Sequence, residues 1–418
     1  MSSVLDDGYR LHKDIRQFEI DGIRMIGNID NGSIIGLDAK GVHLIEQINS
    51  GVELVQLDKE EQQLLECMIE NQFFVEEKKG LKAAYVHLTD RCNLHCVGCY
   101  SFVEERNLKD ALPFEKICHV LSELKANGAE QIVFSGGEPF IRKDIVEICK
   151  FAKETLGIMN LHVISNGTMN YRRYEEAFQY IDALSISIDG YNEETRFIRD
   201  QGIMPKIISN VAYLREKAPV TLIATIHAQN INHIDEYLNF AKQLDVKLSF
   251  SIFTVNPEDE YFRPYIFDHH SLVQFSKKIS NLDQSVPIYD MPAGEIELTC
   301  RGNCEVGKEM VSIGADGTIY PCHMLHDSSL SLGNILEQEL DEVLEHPDNP
   351  FLKLNVDNIE ECKHCKYRYL CGGGCRGRSW LYNNTLNNRD AFCPFIKNFY
   401  RDSIQRLKES IGYIESSV

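Results

Sequence analysis

The chain is organised around a twelve-residue stretch that reads Thr89-Asp90-Arg91-Cys92-Asn93-Leu94-His95-Cys96-Val97-Gly98-Cys99-Tyr100 and follows an apolar run at residues 84–88. Three thiolates at C-x3-C-x2-C spacing on one short loop suit an iron–sulfur cluster in which one iron lacks a protein ligand. Such an iron can bind a small molecule. A zinc site with His87 or His95 as fourth ligand is the alternative on this loop alone.

Length and composition narrow the class of protein. The chain has 418 residues, 43% hydrophobic and 25% charged, which predicts a globular protein of two or three domains. A net charge of −20 argues against nucleic-acid binding, which needs basic residues to displace counterions from phosphates. No apolar run reaches the roughly 18 residues of a membrane helix, and the first residues lack a secretion signal. We therefore expect a cytoplasmic protein without membrane contact.

Fourteen cysteines are many for that compartment, where disulfides are rare, so clustered thiols indicate metal or redox chemistry. Three are isolated among apolar residues and are interpreted as packing residues: Cys67, Cys118 and Cys149. Eight others gather in the last third of the chain.

Residues 8–80 read as a small mixed unit. The pattern predicts strands at 18–20 and 24–29, two helices that begin after Asp38 and Asp58, and a closing strand at 73–75. This order is winged-helix-like and resembles the peptide-binding element of enzymes that mature ribosomal peptides. Such elements bind a leader peptide as an added strand at a sheet edge. A docking or dimerisation domain is the alternative.

From residue 82 onward, short apolar strands alternate with amphipathic helices. This alternation predicts parallel βα units that form an α/β, partial (βα)6 TIM-like barrel, with its chemistry at the C-terminal ends of the strands. The expected strands are 84–88, 131–134, 161–164, 183–188, 221–226 and 247–253, and the expected helices are 113–126, 143–156, 171–180, 205–217 and 234–244.

Unusual polar residues follow four successive strands. Each group alone is compatible with an ordinary turn, but together they indicate a site for an amine, a carboxylate and a sugar. The candidate binding residues are Gly136, Gly137 and Glu138 after the second strand, Ser165 and Asn166 after the third, and Ser187, Asp189 and Arg199 at and after the fourth.

These motifs resemble the radical S-adenosylmethionine (SAM) superfamily over about residues 82–256. The resemblance implies a 4Fe-4S cluster on the cysteine loop and SAM bound at its open iron, with residues 136–138 holding the methionine amine. It also implies reductive cleavage of SAM to a 5′-deoxyadenosyl radical that abstracts hydrogen from a substrate. The chain departs from the family at Gly98, where an aromatic residue usually precedes the last cysteine.

The last third of the chain carries a second cysteine pattern. Residues 312–320 form a strong hairpin signal with Asp316-Gly317 at the turn, which would bring Cys304 and Cys322 near each other. Eight thiols divide into two sets of four, and their spacing alone fits two zinc ribbons as well as two clusters.

Beside a radical cluster, this pattern resembles the SPASM extension over about residues 295–400 and implies two auxiliary 4Fe-4S clusters. The spacing between the first two cysteines is shorter than in sulfatase-maturing relatives, so the first cluster either uses Cys300 or keeps an open iron. The implied ligands are Cys300, Cys304, Cys322 and Cys375 for the first cluster and Cys362, Cys365, Cys371 and Cys393 for the second.

The resemblance predicts a radical SAM peptide maturase that forms a thioether or similar crosslink in a ribosomally made precursor peptide. We expect a peptide-recognition, PqqD-like domain at 1–80 that binds the leader, a barrel at 81–290 and a SPASM domain at 291–418. An external one-electron reductant would be needed. His323, next to Cys322, is a candidate catalytic base or an ordinary surface histidine. The alternatives are an anaerobic sulfatase-maturing enzyme and an iron–sulfur electron-transfer scaffold.

Overall fold

A computed structural model describes residues 9–52, 54, 56–75, 80–104, 106–108, 111–282 and 298–412. Within these residues the chain forms one three-stranded sheet and one nine-stranded sheet. The expected boundary between barrel and SPASM domain, at residues 290 and 291, lies outside the described residues. No helix of the described chain is long and apolar enough to cross a bilayer.

The N-terminal sheet is antiparallel in the order β1-β2-β3 and is followed by two helices. The side chain of Asp38 caps the first helix, and Asp58 forms a capping box with Glu61 at the second. The third strand was not predicted. The elements are β1 (Ile15–Ile20), β2 (Ile23–Asn28), β3 (Ile34–Leu37), α1 (Ala39–Ser50) and α2 (Lys59–Glu70).

The predicted closing strand at residues 73–75 is wrong. This segment bends, the Phe73 side chain is buried, and its carbonyl accepts one hydrogen bond from His12. The apolar run therefore reflects burial in the core of the N-terminal unit, because a short apolar run does not distinguish a strand from a packed turn.

The expected partial barrel is confirmed. Six parallel strands lie in the order β4 to β9, and the crossovers are helical, although the third is a 3-10 helix at Tyr171–Gln179 and the second ends in a π turn. The strands are β4 (Ala83–Thr89), β5 (Gln131–Gly136), β6 (Asn160–Ser165), β7 (Ala183–Ile188), β8 (Val220–Ile226) and β9 (Lys247–Ile252). The helices are α3 (Phe114–Ala126), α4 (Ile145–Lys150), α5 (Met204–Leu214), α6 (Ile234–Gln243) and α7 (His269–Ser280).

The C-terminal hairpin extends this sheet. Strand β10 (Met310–Ile313) pairs in parallel with β4, and β11 (Thr318–Tyr320) and β12 (Gly333–Asn334) follow antiparallel. The hairpin itself was predicted, but its pairing with β4 was not. The remaining helices are α8 (Leu340–Leu344), α9 (Arg368–Cys371), α10 (Arg376–Asn383) and α11 (Cys393–Ser410).

The N-terminal unit packs against the C-terminal third. The Phe18 and Tyr369 rings lie 5.4 Å apart, Lys366 pairs with Asp21, and a single apolar core includes residues of β1, the barrel and α11. A separate core of seven buried residues lies within the N-terminal unit.

Candidate active site

A cavity of about 1340 Å³, including its open mouth, lies at the C-terminal ends of the barrel strands. Ten of the predicted site residues line it: Cys92, Cys96, Cys99, Gly136, Gly137, Ser165, Asn166, Ser187, Arg199 and His323.

The cysteine loop is fastened to the loop after β5. Backbone N–H groups of Gly137 and Glu138 donate to the carbonyls of Thr89 and Arg91 at 2.7 and 2.8 Å. A Cβ on Gly137 would lie 2.1 Å from the Arg91 carbonyl oxygen, and Gly136 has φ +109°. Only glycine allows this close backbone approach, which sets the two loops at a fixed distance.

Each thiol of the loop has a nitrogen donor directed at its sulfur. The guanidinium groups of Arg106 and Arg199 lie 3.3 Å from Cys99 Sγ and 3.6 Å from Cys96 Sγ, and Asn166 Nδ2 lies 3.8 Å from Cys92 Sγ. Donors and positive charge around three sulfurs stabilise thiolates, which are the form that binds metal. The loop therefore fits an iron–sulfur cluster.

The thiols differ in their pKa shifts. Burial raises the pKa of Cys92 and Cys96 above the ordinary range for a thiol. Burial also opposes ionisation of Cys99, but the Arg106 charge and the Ser101 hydroxyl outweigh it, and the pKa of Cys99 is lowered. Arg106 was not among the predicted site residues. It lies seven residues beyond Cys99, in a segment with no recognisable pattern.

Gly98 has a structural reason for lacking a side chain. Its φ is +64°, and a Cβ would lie 2.4 Å from the ring of Phe253, which also lines the cavity. An aromatic ring thus occupies the space beside the last cysteine, but it comes from the residue after β9. Sequence reasoning missed Phe253 because the two positions are 155 residues apart.

Glu138 does not line the cavity. Its buried carboxylate accepts hydrogen bonds from the Ser165 hydroxyl at 2.8 Å, the Asn166 N–H at 2.8 Å and the Phe140 N–H at 3.1 Å. Burial raises the pKa of Glu138 to about 7, although these three donors oppose the shift. Glu138 therefore positions the loop after β6, and the adjacent Gly136–Gly137 backbone faces the cavity in its place.

Asp189 is also placed behind the cavity wall. Its carboxylate accepts from the backbone N–H groups of Phe197, Ile198 and Arg199 at 2.6, 2.9 and 3.1 Å. The Ile198 carbonyl in turn accepts from Val97 in the cysteine loop at 2.7 Å. Asp189 thus holds the segment that directs Arg199 at Cys96.

His323 lies in a group of aromatic rings at the cavity wall. It stacks on Tyr85 at 4.2 Å and meets Tyr100 edge-on at 5.7 Å. Behind it, His326 stacks between His87 and Tyr320 at 4.1 and 4.2 Å. Burial lowers the pKa of His326 to about 4, so that ring is neutral.

The C-terminal cysteines form two groups, as their mutual electrostatic effects show. Burial is the main cause of the raised pKa of Cys322, and the nearby thiols of Cys375 and Cys304 add to it. Burial also raises the pKa of Cys362, and the thiols of Cys393 and Cys365 add to it. Cys371 lies with the second group, where Cys393 and Cys362 act on it. Cys300 lies with neither group. Its raised pKa, about 12, reflects burial, and Arg16 is the one charged group that acts on it.

The sulfur spacing argues against zinc. Zinc bound by thiolates at about 2.3 Å would hold their sulfurs roughly 3.8 Å apart. In the described residues no three cysteine sulfurs lie within 4.8 Å of one another.

Comparison with known proteins identifies two domains. Residues 86–241 match the Radical SAM superfamily, and residues 304–366 match SPASM, an iron–sulfur cluster-binding domain. Both resemblances drawn from the motifs are thereby confirmed.

Three curated relatives cover most of the chain. The AdoMet-dependent heme synthase of Methanosarcina barkeri is 25% identical over 74% of this chain and 95% of its own. A cysteine-type anaerobic sulfatase-maturating enzyme of Clostridium novyi is 24% identical over 79% and 96%. The PqqA peptide cyclase of Rhizobium meliloti is 25% identical over 77% and 88%.

Two solved structures share the fold. Native anSMEcpe with bound AdoMet and Cp18Cys peptide superposes with a TM-score of 0.65 at 19% identity, over 80% of this chain and all of the other. Streptococcus suis SuiB bound to precursor peptide SuiA has a TM-score of 0.61 at 15% identity, over 92% of this chain and 99% of its own. The fold shared with the second structure thus extends over more of the chain.

Proposed function

We propose that this radical SAM enzyme with a SPASM domain modifies a ribosomally made peptide, from which it abstracts a hydrogen atom to form a side-chain crosslink such as a thioether. The observation that carries the proposal is the cavity into which the cysteine loop and the loops after β5 and β6 open together. The named relatives that act on a peptide or a sulfatase support this substrate class.

The residues that line the cavity fit the cluster and the SAM that we expect to bind there. Cys92, Cys96 and Cys99 would hold a 4Fe-4S cluster, and the backbone at Gly136–Gly137 would receive the methionine amine. When bound, the cluster and SAM supply one electron and a 5′-deoxyadenosyl radical. Ser187 offers a hydroxyl to the ribose or the carboxylate. The Phe253 ring offers an apolar face to the adenine. It takes the place of the aromatic side chain that the family usually has at the position of Gly98.

The N-terminal sheet offers an edge for a leader peptide. Strand β3 is terminal in the sheet, and the Asn28 N–H donates to the Ser33 carbonyl at 2.9 Å. Because antiparallel pairing alternates, residues 33 and 35 face β2, and the backbone of Gly36 faces the free edge. A Cβ on Gly36 would meet nothing within 4 Å. A peptide strand can therefore pair there.

His323 is the candidate for accepting a proton from the substrate. Crosslink formation from a substrate radical releases one electron, which an auxiliary cluster would accept, and one proton. The half-buried His323 ring lies in the cavity wall beside Tyr85 and Tyr100. Its contact with Tyr85 fixes the plane of the ring.

The test uses the reconstituted protein, reduced with dithionite and given SAM. We expect 5′-deoxyadenosine, and with a deuterated precursor peptide we expect deuterium in that product. The C96A variant is the control and should form neither. Absence of 5′-deoxyadenosine from protein that holds its clusters would refute the radical activity. The peptide substrate would be refuted if every deuterated peptide gave unlabelled 5′-deoxyadenosine while a deuterated non-peptide substrate gave labelled 5′-deoxyadenosine.

A further inference from the structure

The segment that follows the cysteine loop folds back onto it. The Asn107 Oδ1 atom accepts a hydrogen bond from the backbone N–H of Cys92 at 3.1 Å, and Arg106 Nη2 donates to Cys99 Sγ at 3.3 Å. These two neighbouring residues thus contact the first and the last cysteine of the loop. The proposed function gives neither of them a part.

The Arg106 guanidinium is held by several contacts at once. Its Nη2 donates to the Ser101 carbonyl at 2.8 Å and to the Ser101 hydroxyl at 3.2 Å, and that hydroxyl donates to the Gly136 carbonyl at 2.6 Å. The guanidinium also lies 5.8 Å from the centre of the Phe102 ring. None of these contacts involves a ligand, so the guanidinium lies beside Cys99 before SAM or substrate binds.

Arg106 brings a positive charge that no carboxylate offsets. A guanidinium stays protonated in proteins. In the part of the chain that the structure describes, no carboxylate pairs with Arg106. The side chain is half-buried in the cavity wall, where a charge is screened less than at the surface.

The two other nitrogen donors at the loop differ from Arg106. The Asn166 side chain is neutral. Arg199, which lies beside Cys96, has a negative charge close by, because the Asp189 carboxylate accepts its backbone N–H at 3.1 Å. Arg106 is therefore the donor whose full positive charge acts on a sulfur of the loop.

We infer that Arg106 makes the cluster of the cysteine loop easier to reduce. In this step one electron passes from the external one-electron reductant to the cluster. No bond forms or breaks, and no proton moves. The added electron makes the cluster and its thiolates more negative, and a fixed positive charge beside a ligand sulfur stabilises that form. Hydrogen bonds to the sulfurs and local charge are among the factors that set the potential of such clusters.

The test uses the full-length protein with all its clusters, without SAM or peptide, in redox mediators poised with dithionite. EPR gives the ratio of reduced to oxidised loop cluster, whose signal is the one missing from the C92A/C96A/C99A variant. At the potential that half-reduces the wild type, we expect about a tenfold lower ratio in R106Q, which is about 59 mV for one electron. Glutamine keeps an N–H donor for Ser101 but carries no charge.

Two variants serve as matched controls. R106K keeps the charge and should stay within about twofold of the wild-type ratio. K116Q removes an exposed positive charge from α3 and should leave the ratio unchanged, because solvent screens that charge.

Three results would overturn the inference. The first is an equal ratio in R106Q and the wild type, and the second is an equal loss in R106Q and R106K, which would assign the effect to contact geometry. The third is loss of the loop cluster from R106Q, because the inference gives Arg106 no part in holding iron. Since no SAM is cleaved and no peptide is present, the result is independent of the proposed peptide modification.

Discussion

At the scale of single residues, the site is set by groups that hold its loops as much as by groups that face the cavity. Glu138 and Asp189 both lie behind the wall, and each accepts three hydrogen bonds that fix a neighbouring loop. Substitution of either residue should therefore act on SAM binding through geometry.

Gly98 gives a residue-scale prediction. In G98A the new Cβ meets the Phe253 ring, and a left-handed conformation costs a non-glycine residue about 1–2 kcal/mol. We expect KM for SAM to rise about tenfold or more. G157A is the matched control, because Gly157 has φ +63° and open space around it. It should leave KM unchanged, while F253L added to G98A should recover part of the loss. Equal effects of G98A and G157A on KM would contradict the steric explanation.

Glu138 gives a prediction about pH. Its pKa in the folded protein is about 7, above the ordinary value for a glutamate side chain, so folding favours the protonated form. Its stabilising contribution is complete below the unfolded pKa and is lost as pH rises through about 7. Between pH 5.5 and 7.5 the wild type should lose about 2 kcal/mol of stability relative to E138Q. Thermal unfolding of both proteins across this pH range measures the change in their stability difference. E147Q, at an exposed site, is the control. A constant difference between wild type and E138Q would show that the pKa is not raised.

At the scale of elements, the strands and helices of the barrel followed from local patterns, since each is coded by its own hydrophobic periodicity. Contacts between distant elements did not follow. The pairing of β10 with β4, the Phe253 ring beside Gly98 and the burial of Cys300 against β2 each join residues more than 150 positions apart. Cysteine spacing grouped Cys300 with Cys304, whereas the structure buries it against Gly27 of β2, because spacing records order along the chain and not position in space.

Strand β3 gives the element-scale prediction. In G36P the outward N–H is removed while the inward pairing of residues 33 and 35 with β2 is kept. We expect affinity for the precursor to fall at least tenfold, which is about 1.4 kcal/mol. G36A keeps the N–H and adds a methyl group in open space, so it should bind normally. Fluorescence anisotropy with a labelled leader measures both, and normal binding by G36P would exclude this edge.

At the scale of the whole molecule, the barrel and the SPASM hairpin form one sheet, whereas the N-terminal unit has a core of its own. A chain cut after residue 282 exposes the edge of β4 and removes the buried Val311 and Ile313. We expect it to aggregate, because unpaired edges pair with other chains. The full-length chain keeps β10 beside β4 and should stay soluble. Size-exclusion chromatography distinguishes them, and a monomeric 1–282 fragment would show that β4 does not need its C-terminal partner.

The parallel pairing of β4 with β10 also affects the order of folding events during synthesis. During synthesis the ribosome must add the 221 residues from Thr89 to Met310 before β4 can acquire its second neighbour. At about 5–20 residues per second this takes roughly 10–45 s, in which the nascent barrel has an open edge beside the cysteine loop. We therefore expect iron and sulfide to reach that loop after β10 has been made, when the edge beside the loop is closed.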